Sequence, residues 1–179
     1  MKNPEKAKIY KVLIVVLGLA LLASLVYIFY PTTFYSQVAS LTLPQLSTAG
    51  FVKVNVSANV IDQNTASLTL SADCYEMTAA VEPLQAESVQ NALNNQYGPR
   101  PNAHDLAKDV FTALKINVLM VKVTEQKADA FYGKIVLRQG NTVLNYDIRP
   151  SDGIAIGLRM NAPIYMNESL LMSQGQKVC

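Results

Sequence analysis

Between Lys11 and Lys53 the chain carries no charged residue, and Val12–Tyr30 within that stretch is almost unbroken hydrocarbon. No other feature limits so sharply what the chain can become. Wound as a helix, Tyr10–Tyr30 reaches about 31 Å, the thickness of a bilayer's hydrocarbon core. Only Gly18 and Ser24 interrupt the apolar run of Val12–Phe29. Tyr10 at one end and Tyr27, Phe29 and Tyr30 at the other stand where interfacial aromatics belong, and Pro31 stops the helix. A cleaved signal peptide has an apolar region of about 7–15 residues, shorter than this one, and Val38-Ala39-Ser40 is a weak cleavage triplet. The sequence therefore predicts one uncleaved transmembrane helix. Lys2, Lys6, Lys8 and Lys11 flank its start and nothing charged flanks its end. The positive-inside rule then puts the N-terminus in the cytoplasm and the rest outside the cell membrane.

This divides the chain into a basic cytoplasmic N-terminus (1–9), a membrane helix (10–30), a linker rich in Ser, Thr, Pro and Gln (31–50), and an outward domain (51–179). About 130 residues suffice for one domain with its own core, not two. Half the chain is hydrophobic and 16% charged, which excludes a disordered tail or a coiled coil. Eleven of the fifteen Lys and Arg lie beyond residue 31 and face twelve of the thirteen Asp and Glu. Nucleic-acid binding must therefore rest on local clusters rather than on net charge. The sequons Asn55-Val56-Ser57 and Asn167-Glu168-Ser169 suit an exported domain. Cys74 and Cys179 could pair in an oxidising compartment, but the preferred reading is one buried thiol and one terminal one, because the last residue of a chain is poorly tied down.

Alternation over Phe51–Ile61 predicts a half-buried strand, returned by Ser67–Ala72 through a turn at Asp62-Gln63-Asn64. Leu84, Val89, Ala92 and Leu93 recur at helical spacing from Pro83 until Tyr97-Gly98-Pro99. A second helix spans about Ala103–Lys115, with Asn102 as N-cap, Asp105 three residues on, and an apolar stripe of Leu106, Val110, Ala113 and Leu114. Three strands follow, Val118–Thr124, Phe131–Arg138 and Thr142–Ile148, the last two joined through Gln139-Gly140-Asn141. Ser151 is placed to cap a helix to Asn161 with Ile154, Ala155 and Leu158 inward. Pro163–Met166 is a short strand, and Asn167 caps a last short helix. The fold class is α+β, a mixed or mainly antiparallel sheet with packed helices, preceded by the transmembrane helix.

Chemistry-bearing residues concentrate in two segments: Arg100-Pro101-Asn102-Ala103-His104-Asp105-Leu106 at a helix start, and Asp147-Ile148-Arg149-Pro150-Ser151-Asp152-Gly153 between a strand end and a helix. Free backbone N–H groups point outward at such places and favour anion sites. These segments, followed by Ala162-Pro163-Ile164-Tyr165, resemble the bifunctional nuclease domain over about Cys74–Met172. The family pattern runs Arg-Pro-x-Thr-His-Asp-Leu, then Asp-x-Arg-Pro-Ser-Asp-Ala, then Ala-Pro-Ile. Ala103 departs from it by lacking the threonine hydroxyl beside His104, and Gly153 by replacing a small alanine. The resemblance implies an α+β fold, association into at least dimers, and nuclease activity on RNA and DNA.

On this reading Asp105, Asp147 and Asp152 supply hard oxygen ligands for Mg²⁺ or Mn²⁺. His104, the chain's only histidine, handles protons, with Ser151 beside it in the cluster. Arg100 and Arg149 clamp phosphate oxygens. The rival reading needs no substrate. A His-Asp pair in a first helical turn and an Arg-Pro-Ser-Asp helix start are good capping and dipole chemistry in themselves, and an arginine–carboxylate network can lock two helix starts together in a non-catalytic oligomerising or ligand-binding module. Lys122, Lys127, Lys134, Arg138 and Tyr132 could form a basic, stacking strip, though lysines on edge strands also simply block aggregation.

Overall fold

The computed structural model describes residue 11, residues 13–26 and residues 43–179. Residues 13–26 are helical. Among the described residues no helix is long and apolar enough to cross a membrane. Tyr10, Val12 and residues 27–30 of the expected span, and residues 31–42 of the expected linker with its Val38–Ser40 triplet, lie outside the described residues.

Gln45–Cys179 forms the second compact unit. It is α+β, with two sheets and four α-helices. The five-stranded sheet has the order β1-β8-β5-β6-β7, comprising Phe51–Lys53, Ile164–Asn167, Ile116–Lys127, Ala130–Gln139 and Thr142–Ile148. It is antiparallel except for β5 against β8, where Val121 faces Ile164 in parallel register. The four-stranded sheet, order β2-β3-β4-β9, is wholly antiparallel: Asn55–Val60, Ala66–Ala72, Tyr75–Val81 and Gln176–Lys177. Helices α1 (Pro83–Leu93), α2 (Ala103–Ala113) and α3 (Pro150–Arg159) pack together, α3 against both α1 and α2, and α4 (Glu168–Gln174) follows β8. One core joins these elements, built on Val89, Val121, Val123, Ile154 and Met166, each at most 1% exposed. Gly157 lets α3 sit directly on the sheet, since a Cβ there would stand 2.9 Å from side-chain atoms of both Val121 and Ile164.

Several expectations are corrected. The single strand predicted over Phe51–Ile61 is two strands in different sheets. Buried Val54 is the joint, donating its N–H to the Ile164 carbonyl. Strand β4 was not anticipated; Asp73 takes a positive φ of 49° and turns β3 back into it. Arg149, not Ser151, is the N-cap of α3, with Pro150 in its first turn. The apolar stripe of α2 does not face the core: Leu106 is 62% exposed and Leu114 53%, while the one fully buried residue of the helix is Asp105. Asn167 caps α4 as expected, its Oδ1 accepting the Leu170 N–H.

The cysteines are also corrected. Cys74 and Cys179 form a disulfide, and Val178 donates its N–H to the Cys74 carbonyl beside it. Strand β9 is thereby zipped onto the start of β4. Lys122, expected on an exposed strip, is buried. Its ammonium donates to the Gln45 and Ser47 carbonyls and lies 5.1 Å from the Phe51 ring centre. Burial pushes its pKa down. Lys127 stays outside, paired with Glu125 and lying over Tyr132.

Candidate active site

Asn102 begins α2 with a complete capping box: its Oδ1 accepts the N–H groups of His104 and Asp105, and Asp105 Oδ2 accepts the Asn102 N–H. That box fixes the first turn and sends His104 and Asp105 in different directions. Asp105 turns inward, 1% exposed, where its Oδ1 accepts from Arg159 Nε at 2.7 Å. Arg159 also donates through Nη1 to the Ser88 and Ala155 carbonyls, while its buried Nη2 has no partner among the described residues. Burial pushes the Asp105 pKa up, but the Asn102 N–H and the Arg159 guanidinium outweigh it and hold the carboxyl below its ordinary value.

His104 points toward α3. Its Nε2 lies 3.2 Å from Asp152 Oδ1, and Asp152 Oδ2 accepts from Arg149 Nε at 2.7 Å. On the other side its Nδ1 lies 2.8 Å from the Ser88 hydroxyl, which itself accepts from Asn102 Nδ2. That chain of donors assigns the neutral tautomer. The Ser88 hydroxyl, receiving from the amide, donates to Nδ1, and Nε2–H donates to Asp152. Protonation at Nδ1 only requires the hydroxyl to turn, leaving both ring N–H groups bonded. Exposure is graded across the cluster, from Ser88 at 2% through His104 and Asp152 at 16% and 19% to Arg149 at 71%.

The two sequence segments therefore meet, joining His104 to Asp152 and Arg149 across 48 positions of chain. The other expected members stand apart. Arg100 is exposed and forms no salt bridge among the described residues. Asp147 is exposed on β7, opposite Lys134 on β6. Ser151 is buried in the first turn of α3, next to a cavity rather than to His104. The carboxylates do not gather as a cage for Mg²⁺ or Mn²⁺: Asp105 has both oxygens engaged by Arg159 and the Asn102 amide, and Asp152 bridges His104 and Arg149. Among the described residues no three His, Cys, Asp or Glu side chains are placed to share a metal ion.

Two members escaped the sequence reading. Arg159 sits one helix away from the motif that it supports, at the end of α3, where a basic residue already has a plain reason to be. Ser88 lies beside Val89 on the buried face of α1; a serine on an otherwise apolar stripe was its only signal.

The bifunctional nuclease domain model matches residues 71–178. An uncharacterised protein of Mycobacterium tuberculosis is 33% identical over 93 residues, which cover 51% of this chain and 55% of that protein. Bifunctional nuclease 1 of Oryza sativa subsp. japonica is 33% identical over 90 residues, 49% of this chain and 27% of the rice protein. Bifunctional nuclease 1 of Arabidopsis thaliana is 31% identical over 90 residues, 49% of this chain and 28% of the plant protein. The match thus spans about half the length of the mycobacterial relative and about a quarter of the plant ones.

Proposed function

This chain belongs to the bifunctional nuclease domain family, and from that premise we propose that it hydrolyses phosphodiester bonds of RNA or DNA at the surface where His104, Asp152 and Arg149 meet. The observation that carries the reading is the graded exposure of that cluster. Arg149 reaches into solvent with its Nη groups uncommitted among the described residues, so it can grip a phosphate while Asp152 holds its Nε. His104 has a hydrogen-bond partner for either charge state: Ser88 and Asp152 for the imidazolium, the same two for the neutral ring. A group that carries a proton during a reaction needs that arrangement. Asp105 and Arg159 form the buried floor that fixes α2 against α3 and keep His104 opposite Asp152. The family match at residues 71–178 spans the segments that hold these residues.

The test is cleavage of labelled RNA and DNA oligonucleotides by the full chain. Arg149→Ala and His104→Ala should each slow cleavage by about 10²-fold or more, with far-ultraviolet dichroism unchanged. Asp147→Ala should cut at the wild-type rate. Equal cleavage by wild type and both site variants would mean a contaminating nuclease and no reaction at this surface.

We place the domain on the outer side of a cell membrane, tethered by the apolar segment at 10–30. The Cys74–Cys179 bond fits an oxidising compartment, and the lysine-flanked apolar run fits an inward N-terminus. A second copy of the chain is the partner that suits α2. Leu106, Val110 and Leu114 lie at i, i+4 and i+8, all exposed, on a helix whose other face already packs against α3. Leu106→Asp should shift the sedimentation coefficient of the full chain from oligomer to monomer, and an unchanged value would remove α2 from the interface.

A further inference from the structure

A cavity of about 520 Å³ opens beside the cluster, where the middle of β3, the end of β4, the β5–β6 turn and the starts of α1 and α3 come together. Its size is that of a small-molecule pocket. Leu68, Leu70, Val81, Phe131 and Ile154 make its apolar walls. Arg149 lines it too, and so belongs both to the cavity and to the ion pair with Asp152. Ser151 also faces it. The residue is 7% exposed, and its hydroxyl is open to hydrogen-bond with whatever enters the cavity. At the mouth stand Gln85, Asp129 and Glu82, whose carboxylate takes no part in capping α1.

We propose that this cavity receives an unpaired nucleobase of the strand whose phosphate Arg149 grips. The proposal rests on the phosphodiester reading and names how its substrate is held. A base is a flat apolar body with polar edges. Phe131 supplies the aromatic surface on which bases stack whatever their sequence, and the leucines and Ile154 exclude water around it. The Ser151 hydroxyl and the carboxylates of Glu82 and Asp129 meet the base edge, the latter two as acceptors suited to the exocyclic amines of adenine and cytosine. A base in a helix cannot reach such a recess without leaving the stack, so the site selects single strands over duplex.

Calorimetric titration of the full chain with adenosine 5′-monophosphate and with ribose 5-phosphate reads the base contribution directly. The nucleotide should bind about tenfold tighter or better than the sugar phosphate. Ala130 is exposed at the cavity's mouth; Ala130→Trp should abolish that advantage and leave ribose 5-phosphate affinity alone. Phe131→Ala, which opens the cavity instead of filling it, should lose the same advantage. Arg149→Ala should weaken both probes. Equal affinity for the two probes, binding of neither, or an advantage indifferent to Ala130→Trp and Phe131→Ala overturns the base cavity. Cleavage is read separately, on a single-stranded oligonucleotide and its duplex. A base-dependent advantage without cleavage overturns hydrolysis and leaves the cavity standing. Cleavage that needs Arg149 but ignores strandedness and Ala130→Trp does the reverse.

Discussion

Asp105→Ala should destabilise the domain by about 3–5 kcal/mol, measured as the shift in urea midpoint multiplied by the denaturation slope. The size follows from what would be left behind. Arg159 is 5% exposed, and its Nη2 is already without a partner among the described residues. Removing the carboxylate would leave a buried guanidinium neutralised by nothing, and its remaining bonds to the Ser88 and Ala155 carbonyls cannot replace the counter-charge. The capping box would go as well, freeing the Asn102 N–H and loosening the turn that aims His104. Against a total stability of about 5–15 kcal/mol such a loss brings unfolding close. Asp105→Leu with Arg159→Met, removing both charges, should recover most of it. The same carboxylate gives a pH signature. Its pKa is lower folded than unfolded, so its stabilisation is fully present above about pH 4 and is lost as pH falls through the folded value. The single variant should therefore lack part of the wild type's acid sensitivity below pH 4. A cost under about 1 kcal/mol would show that the pair contributes little and that another contact orients α2.

What could be read in advance was whatever is local. The Asn102-x-x-Asp105 spacing announces a capping box because both partners lie within one turn, and the box is there. Asn167 and the β6–β7 hairpin are legible for the same reason. The density of polar residues marked the two segments that hold His104 and Asp152, and whether they meet depends on the tertiary fold, which pairs these two side chains. Several of the errors concern where a face points once the chain is folded. Val52, Val54 and Val56 keep strict alternation straight through the break between two sheets, so period alone cannot reveal it. The stripe on α2 reads as core until α3 is seen to take the opposite face, with Asp105 buried in its place. Asp147 shares a motif with Arg149 and Asp152, but β7 ends between them, and a strand residue is directed by the pleat while its neighbours are directed by the helix.

Breaking the Cys74–Cys179 bond should cost about 3–5 kcal/mol, through Cys179→Ser or through reduction, read as a fall in melting temperature of roughly 10 °C or more. The bond closes a loop across 105 positions, and in the chain-entropy account so long a loop gives the unfolded ensemble much freedom that the crosslink removes. The native side of the balance has its own contribution. Strand β9 is two residues long and pairs only with Tyr75 and Glu76 at the edge of its sheet. So short a strand cannot hold itself in place once the terminal sulfur is free. Residues 176–179 should then exchange their amide hydrogens fast, while β3 and the rest of β4, paired with each other over seven positions, stay protected. The loss should be thermodynamic rather than catalytic, because the bond sits at the β3–β4 turn and the hydrogen bonds of His104 run to Ser88 and Asp152 instead. Reduced protein that melts within about 2 °C of the oxidised form would contradict the loop-entropy argument. Reduced protein that melts lower and also loses activity well below its new melting temperature would instead tie the terminus to the site.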